Sequence, residues 1–272
     1  MKICNFEVGN RLPFFLIAGP CVIESEKLAL ESAEFLKECT SKLGINFIYK
    51  TSFEKANRTS VEGYAGLGFD EGMRILERVK NEFDIAILTD VHEDTPLNEL
   101  TEVIDVLQTP AFLCRQTNFI KRVASQNKPV NLKKGQFLSP WEMDKVAKKA
   151  ISTGNQSILL CERGATFGYN NLVVDMRSLE IMKKTGYPVV FDAGHSVQLP
   201  GGLGEATGGQ REFIAPLAKA AVAVGIAGLY LETHPDPDRA LCDGPNMLPL
   251  AELPKLLAVL QEIDQIVKKQ ST

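Results

Sequence analysis

Phe14-Phe15-Leu16-Ile17-Ala18, closed at once by Gly19-Pro20-Cys21, decides how this chain is read. The apolar residues run without alternation, so the strand they form is buried on both faces. The Gly-Pro pair ends it. A stretch rich in Glu and Ala follows, with helical character from about Ser25 to Leu43. A strand covered on both sides and followed by a helix is the repeating unit of a parallel sheet.

The unit recurs along the chain. Further strands are expected at Asn46–Lys50, Ile85–Asp90, Val103–Leu107, Pro129–Lys133, Ser157–Cys161, Pro188–Asp192 and Gly228–Glu232. Helical patterns are expected over Asp70–Asn81, where Ile75, Leu76 and Val79 share a face, and from Thr117. Others cover Pro140–Thr153, Ser178–Lys184, Phe213–Val224 and Leu250–Lys268. Eight strands, each followed by a helix, fit an α/β (β/α)8 TIM barrel in 272 residues. The competing architecture is a doubly wound open sheet, but no GxGxxG or Walker sequence follows any strand. The opening Ile3–Leu12 reads as a short N-terminal β-hairpin, about residues 1–12, turning at Gly9-Asn10. No linker-like stretch divides the chain, which predicts one domain over 1–272. Pro200–Gly209 reads as a mobile glycine-rich loop within it.

Composition narrows the function. Hydrophobic residues make up 44% and charged residues 24%, ordinary for a globular chain and enough for one sizeable core. The net charge of −4 excludes a nucleic-acid binder built on bulk positive charge, though not a local cationic pocket. No apolar run reaches the roughly 20 residues of a spanning helix, and no signal-peptide pattern opens the chain, so a cytoplasmic protein without a membrane partner is expected. The six cysteines form no CxxC pair and should be reduced.

A barrel of this kind places its active site at the carboxyl ends of the strands. Those ends carry two groups of residues. Lys50, Lys55, Arg58, Arg115, Lys133 and Arg163 are cations from strands two, four, five and six. Singly, each reads as a solvated surface charge. Together they suit two phosphorylated substrates, because a phosphate monoester carries about −1.5 to −2 charges. Cys21, His195, Glu232 and Asp243 follow strands one, seven and eight. Barrel closure makes the first and last strands neighbours, so these four can converge as a thiolate, an imidazole and two carboxylates. Such a mixed set suits Zn, Fe or Mn without choosing among them. A bland alternative treats His195 as a core histidine, Cys21 as a buried thiol, and the acids as partners of the cations.

Several segments carry a resemblance. They include Ile17-Ala18-Gly19-Pro20-Cys21-Val22-Ile23-Glu24-Ser25, Lys50-Thr51-Ser52-Phe53 and Lys55-Ala56-Asn57-Arg58-Thr59-Ser60. Asp90-Val91-His92-Glu93, Arg115-Gln116-Thr117 and Asn131-Leu132-Lys133-Lys134-Gly135-Gln136-Phe137 belong with them. So do Cys161-Glu162-Arg163-Gly164, Phe191-Asp192-Ala193-Gly194-His195-Ser196 and Glu232-Thr233-His234-Pro235. In this order, over essentially the whole chain, they resemble the 3-deoxy-D-manno-octulosonate 8-phosphate (Kdo 8-phosphate) synthase family. The related 3-deoxy-D-arabino-heptulosonate 7-phosphate synthases look different at the second substrate, carrying Lys-Pro-Arg-Ser/Thr where this chain has Lys55-Ala56-Asn57-Arg58.

The resemblance implies a transferase that condenses phosphoenolpyruvate, arabinose 5-phosphate and water to the eight-carbon keto-sugar phosphate and phosphate. That product feeds Kdo and lipopolysaccharide biosynthesis, or a related plant cell-wall sugar. It implies that Lys50, Ser52, Lys55, Arg115, Lys133 and Arg163 hold phosphoenolpyruvate, and that Asn57, Arg58 and Thr59 hold arabinose 5-phosphate. Cys21, His195, Glu232 and Asp243 would bind a divalent metal, since the family's metal-free form has Asn at the position of Cys21. His195, Asp243, Cys21 and Lys133 are the implied catalytic residues, and a homotetramer the implied assembly. The alternatives to be weighed are the heptulosonate synthase and a non-catalytic phosphosugar-binding barrel.

Overall fold

The computed structural model describes residues 1–57, 62–202 and 207–270. Among them, eight parallel strands close on themselves: β1 Phe15–Gly19, β2 Phe47–Lys50, β3 Ala86–Asp90, β4 Val106–Thr109, β5 Val130–Lys133, β6 Ile158–Glu162, β7 Val189–Asp192 and β8 Gly228–His234. Each pairs in parallel with the next, and β8 pairs with β1 through Tyr230↔Ile17 and Glu232↔Gly19. The helices that return the chain are α1 Glu26–Leu43, α2 Phe69–Phe83, α3 Leu97–Val103, α4 Thr117–Ala124, α5 Met143–Ile151, α6 Arg177–Lys183, α7 Ile214–Val224 and α8 Leu253–Gln270. The expected TIM barrel is the observed one.

Strand alternation sorts the side chains into two cores. Leu16, Tyr49, Ile87, Leu107, Leu132, Leu160, Phe191 and Leu231 face outward into the layer shared with the helices. There α2 buries Ile75, Leu76 and Val79 completely, as their shared face predicts. Truncating one of them to Ala should cost about 2–5 kcal/mol. Phe15, Ile17, Ile48, Leu88, Val106, Leu159, Val190 and Tyr230 fill the barrel interior. Side chains two residues further on share that inward direction. Lys50, Asp90, Gln108, Asp192 and Glu232 therefore point into the same interior at its carboxyl end.

Helix ends follow local rules. Ser25 caps α1 by accepting from the Leu28 amide at 3.2 Å, and Gly44 closes it in the left-handed conformation.

Two expectations need correction. The hairpin exists, but it pairs Lys2–Ile3 with Phe6–Glu7 and turns at Cys4-Asn5, not at Gly9-Asn10. Asn10 instead ties the following segment to the foot of β7, donating to the Tyr187 carbonyl at 2.8 Å and accepting from the Val189 amide at 2.9 Å. Ile3 and Val8 thereby plug the floor of the barrel. The fourth strand begins at Val106 rather than Val103, because Leu97–Val103 is a helix. Around Pro200–Gly209, Gln198–Leu199 pairs antiparallel with Gly208–Gly209, and residues 203–206 of that segment lie outside the described residues.

Candidate active site

The carboxyl ends of the strands open into a cavity of about 590 Å³. Lys55, Asn57, Asp90, Lys133, Arg163, His195, Glu232 and Asp243 line it. Lys50 and Ser52 stand behind this lining, both buried. Arg58 and Thr59 lie outside the described residues. Arg115 is brought to the rim but not into the cavity; its side chain is 65% exposed and sits 3.5 Å from Glu142.

Cys21 lies near the last strand because β1 pairs with it up to Glu232↔Gly19, while on its other side β1 approaches β2 closely at Gly19. A Cβ on Gly19 would stand 2.0 Å from the Lys50 carbonyl oxygen. Beyond it the Cys21 thiol, fully buried, donates to Asp243 Oδ2 at 3.4 Å. His195 Nε2 lies 3.7 Å from both Glu232 Oε2 and Asp243 Oδ2. The four side chains thus converge at one place beside the cavity. Glu232 Oε1 accepts from Lys50 Nζ at 2.6 Å and from the Tyr230 hydroxyl at 3.0 Å. Glu232 Oε2 is buried and accepts no hydrogen bond among the described residues. A carboxylate oxygen so placed, facing an imidazole and a second carboxylate, fits a divalent cation.

Buried charges at the cavity are paired with opposite ones. Lys133 Nζ lies 2.7 Å from Asp192 Oδ2 and 4.3 Å from the Tyr230 ring centroid. Asp192 also accepts from His195 Nδ1 at 2.8 Å and from the His195 amide at 2.8 Å, which fixes the ring so that Nε2 faces the acids. Burial alone would raise the Asp192 carboxyl; His195 and Lys133 beside it hold it well below the usual carboxylate range. Burial opposes the charge on Glu232 too, yet Lys50 and His195 hold it well down. For His195 burial is outweighed by Asp192, and its basicity is raised. The Cys21 thiol is pushed well up by burial, then by Cys242 and Glu232.

The cationic wall is held by groups that sequence reasoning left without a role. Asp90 Oδ2 accepts from Ser52 Oγ at 2.7 Å and lies 3.7 Å from Lys50 and 3.9 Å from Lys55. Gln108 donates to Asp90 Oδ1 at 2.8 Å and accepts from Asn131 at 2.7 Å, extending the chain across four strands. Lys134, buried beside Glu162 at 3.2 Å, donates to the carbonyls of Leu138 and Gly164. That pair braces the loops carrying Gln136 and Arg163, whose guanidinium donates to Gln198 at 2.7 Å. Arg163 Nε and Nη1 are buried and make no hydrogen bond among the described residues. Inward parity with Leu88, Val106 and Val190 was the available signal for Asp90, Gln108 and Asp192.

Known proteins match along the whole chain. The family model described as "DAHP synthetase I family" matches residues 3–269. A Francisella tularensis subsp. novicida protein named 2-dehydro-3-deoxyphosphooctonate aldolase is 63% identical over 270 residues, covering 99% of this chain and 98% of that one. A Legionella pneumophila (strain Corby) protein of the same name is 64% identical over 272 residues, covering 100% and 99%. A barrel whose mouth joins a cation wall to a thiol, an imidazole and two acids, matched at this length and identity, belongs to the DAHP synthetase I family.

Proposed function

We propose that the chain condenses phosphoenolpyruvate with D-arabinose 5-phosphate and water, giving 3-deoxy-D-manno-octulosonate 8-phosphate and phosphate. The names of the relatives agree with this chemistry. The observation that carries it is one cavity in which Lys55, Lys133 and Arg163 face His195, Glu232 and Asp243. Carbon 3 of phosphoenolpyruvate bonds to the aldehyde carbon, whose oxygen takes a proton. Water adds at carbon 2 and gives up a proton, and the carbon 2–oxygen bond to phosphate breaks as the new hydroxyl loses its proton to the departing phosphate, leaving the ketone.

Lys133 and Arg163, supported by Lys55 and Ser52, would bind the phosphate and carboxylate of phosphoenolpyruvate. The free Arg163 N–H groups suit planar anion recognition. Lys50 would act from behind, holding Glu232 and the Cys21 carbonyl. Arg115 would reach one of the phosphates from the rim. Asn57, with Arg58 and Thr59, would hold the sugar phosphate. Cys21, His195, Glu232 and Asp243 would hold a divalent metal (Zn, Fe or Mn). When bound, it would supply Lewis-acid polarisation and orientation of the aldehyde. His195, oriented by Asp192, and Asp243 are the groups placed to move a proton within the cavity. A homotetramer is the proposed assembly.

The family also contains heptulosonate chemistry. Lys55-Ala56-Asn57-Arg58 favours the pentose phosphate over erythrose 4-phosphate. Mass spectrometry of the product separates them: an eight-carbon keto-acid phosphate is expected, and a seven-carbon product formed preferentially from the tetrose would overturn the assignment.

A further inference from the structure

Cys242 stands immediately before Asp243, and the proposed ligand set does not use it. Consecutive residues in an extended segment point apart. Here they do not, because Asp243 adopts the left-handed conformation, φ 50° and ψ 22°. The sulfurs of Cys21 and Cys242 and a carboxylate oxygen of Asp243 all lie within 4.8 Å of one another. A second group, His195, Glu232 and Asp243, meets the same limit, and the two groups share Asp243. Cys242 is half-buried and lines the cavity, whereas Cys21 is fully buried beneath it.

The turn that presents Cys242 is fixed. A Cβ on Gly244 would lie 2.3 Å from the Pro237 carbonyl oxygen, so the turn is packed against its neighbour without slack. Arg211 donates to the Gly244 carbonyl at 2.8 Å, and the Asn246 amide donates to the Asp243 carbonyl at 2.8 Å. Two thiolates on one tetrahedral ion, each about 2.3 Å from it, stand roughly 3.8 Å apart. The observed spacing is therefore within a small side-chain adjustment of ligation.

We propose that Cys242 is a second sulfur ligand, added to Cys21, His195, Glu232 and Asp243, so that the centre takes a thiophilic divalent cation through two thiolates. This rests on the reading of the site as a metal centre. Each thiol gives its proton to the buffer as its metal–sulfur bond forms, and no electron is transferred. The second sulfur makes the site favour soft ions over Mn²⁺.

The test adds Cd²⁺ to metal-stripped, reduced protein and reads the sulfur-to-cadmium absorption band in the near ultraviolet. The Cys21→Ser/Cys242→Ser double variant supplies the background from the four other cysteines. The wild-type band should be about twice that of Cys242→Ser, and Cd²⁺ affinity should fall at least tenfold in that variant while Mn²⁺ affinity changes less than threefold. Circular dichroism checks that Cys242→Ser is folded, and Cys242→Ala repeats the measurement without a hydroxyl. Equal bands in wild type and Cys242→Ser, lost in Cys21→Ser, would overturn the second ligand and leave the metal centre standing. No band above background in any form would overturn both.

Discussion

Lys50 Nζ lies 2.6 Å from Glu232 Oε1, and each side chain is 1% exposed. This buried pair joins the second strand to the last one beneath the cavity. Removing one partner leaves a nearly buried charge without its closest counter-ion, so Lys50→Met should lose about 3–5 kcal/mol of unfolding free energy. Lys50→Met/Glu232→Met should lose less than the sum of the single variants. Urea denaturation of the four proteins measures this, and a loss under about 1 kcal/mol in Lys50→Met would contradict it.

Asp192 orients His195 through two hydrogen bonds. Asp192→Asn keeps the shape but offers the ring an amide in place of a carboxylate. Divalent-metal affinity should fall about 10–100-fold, read by competition with a chromogenic chelator. Unchanged affinity would separate Asp192 from the metal centre.

We expect Cys21→Asn to retain measurable turnover in the presence of chelator, since the resemblance implies that a metal-free form carries Asn at that position. The wild type should lose its activity under the same chelation. Complete inactivity of a folded Cys21→Asn protein would argue that the cation does more than orient the aldehyde.

Lys268, on the last helix, donates to the carbonyls of Asn10 at 2.6 Å and Ile226 at 2.8 Å. Burial lowers its pKa from 10.5 to about 8. Between those values the unfolded chain binds more protons than the folded one, so this residue's contribution to stability rises with pH. The wild type should gain about 1 kcal/mol over Lys268→Met between pH 8 and 9. A flat or falling difference in denaturant unfolding would contradict the direction.

The legible part of the sequence was the part with strong periodicity. Apolar runs such as Phe14–Ala18 located the strands, and barrel closure then brought Cys21 to Glu232, residues far apart in the chain. Short-range cues did worse. Gly9-Asn10 has turn chemistry, yet the tertiary structure uses the Asn10 amide to bridge to β7, and the turn falls at Cys4-Asn5. Leu97–Val103 is too short to show clear helical periodicity against its polar residues. Arg115 illustrates a further limit: position after a strand places a residue at the rim, but side-chain direction decides whether it enters the cavity. The roles of Gln108, Asn131 and Lys134 depend on which buried partner each meets, and that is set across strands rather than along them.

The most direct test of the account is phosphate release from phosphoenolpyruvate by the metal-stripped and metal-restored protein, with arabinose 5-phosphate or erythrose 4-phosphate as the acceptor. Rapid release with the pentose, little with the tetrose, and loss on stripping that a divalent metal reverses are expected. Equal release by the stripped and restored forms, or preference for the tetrose, would contradict the account.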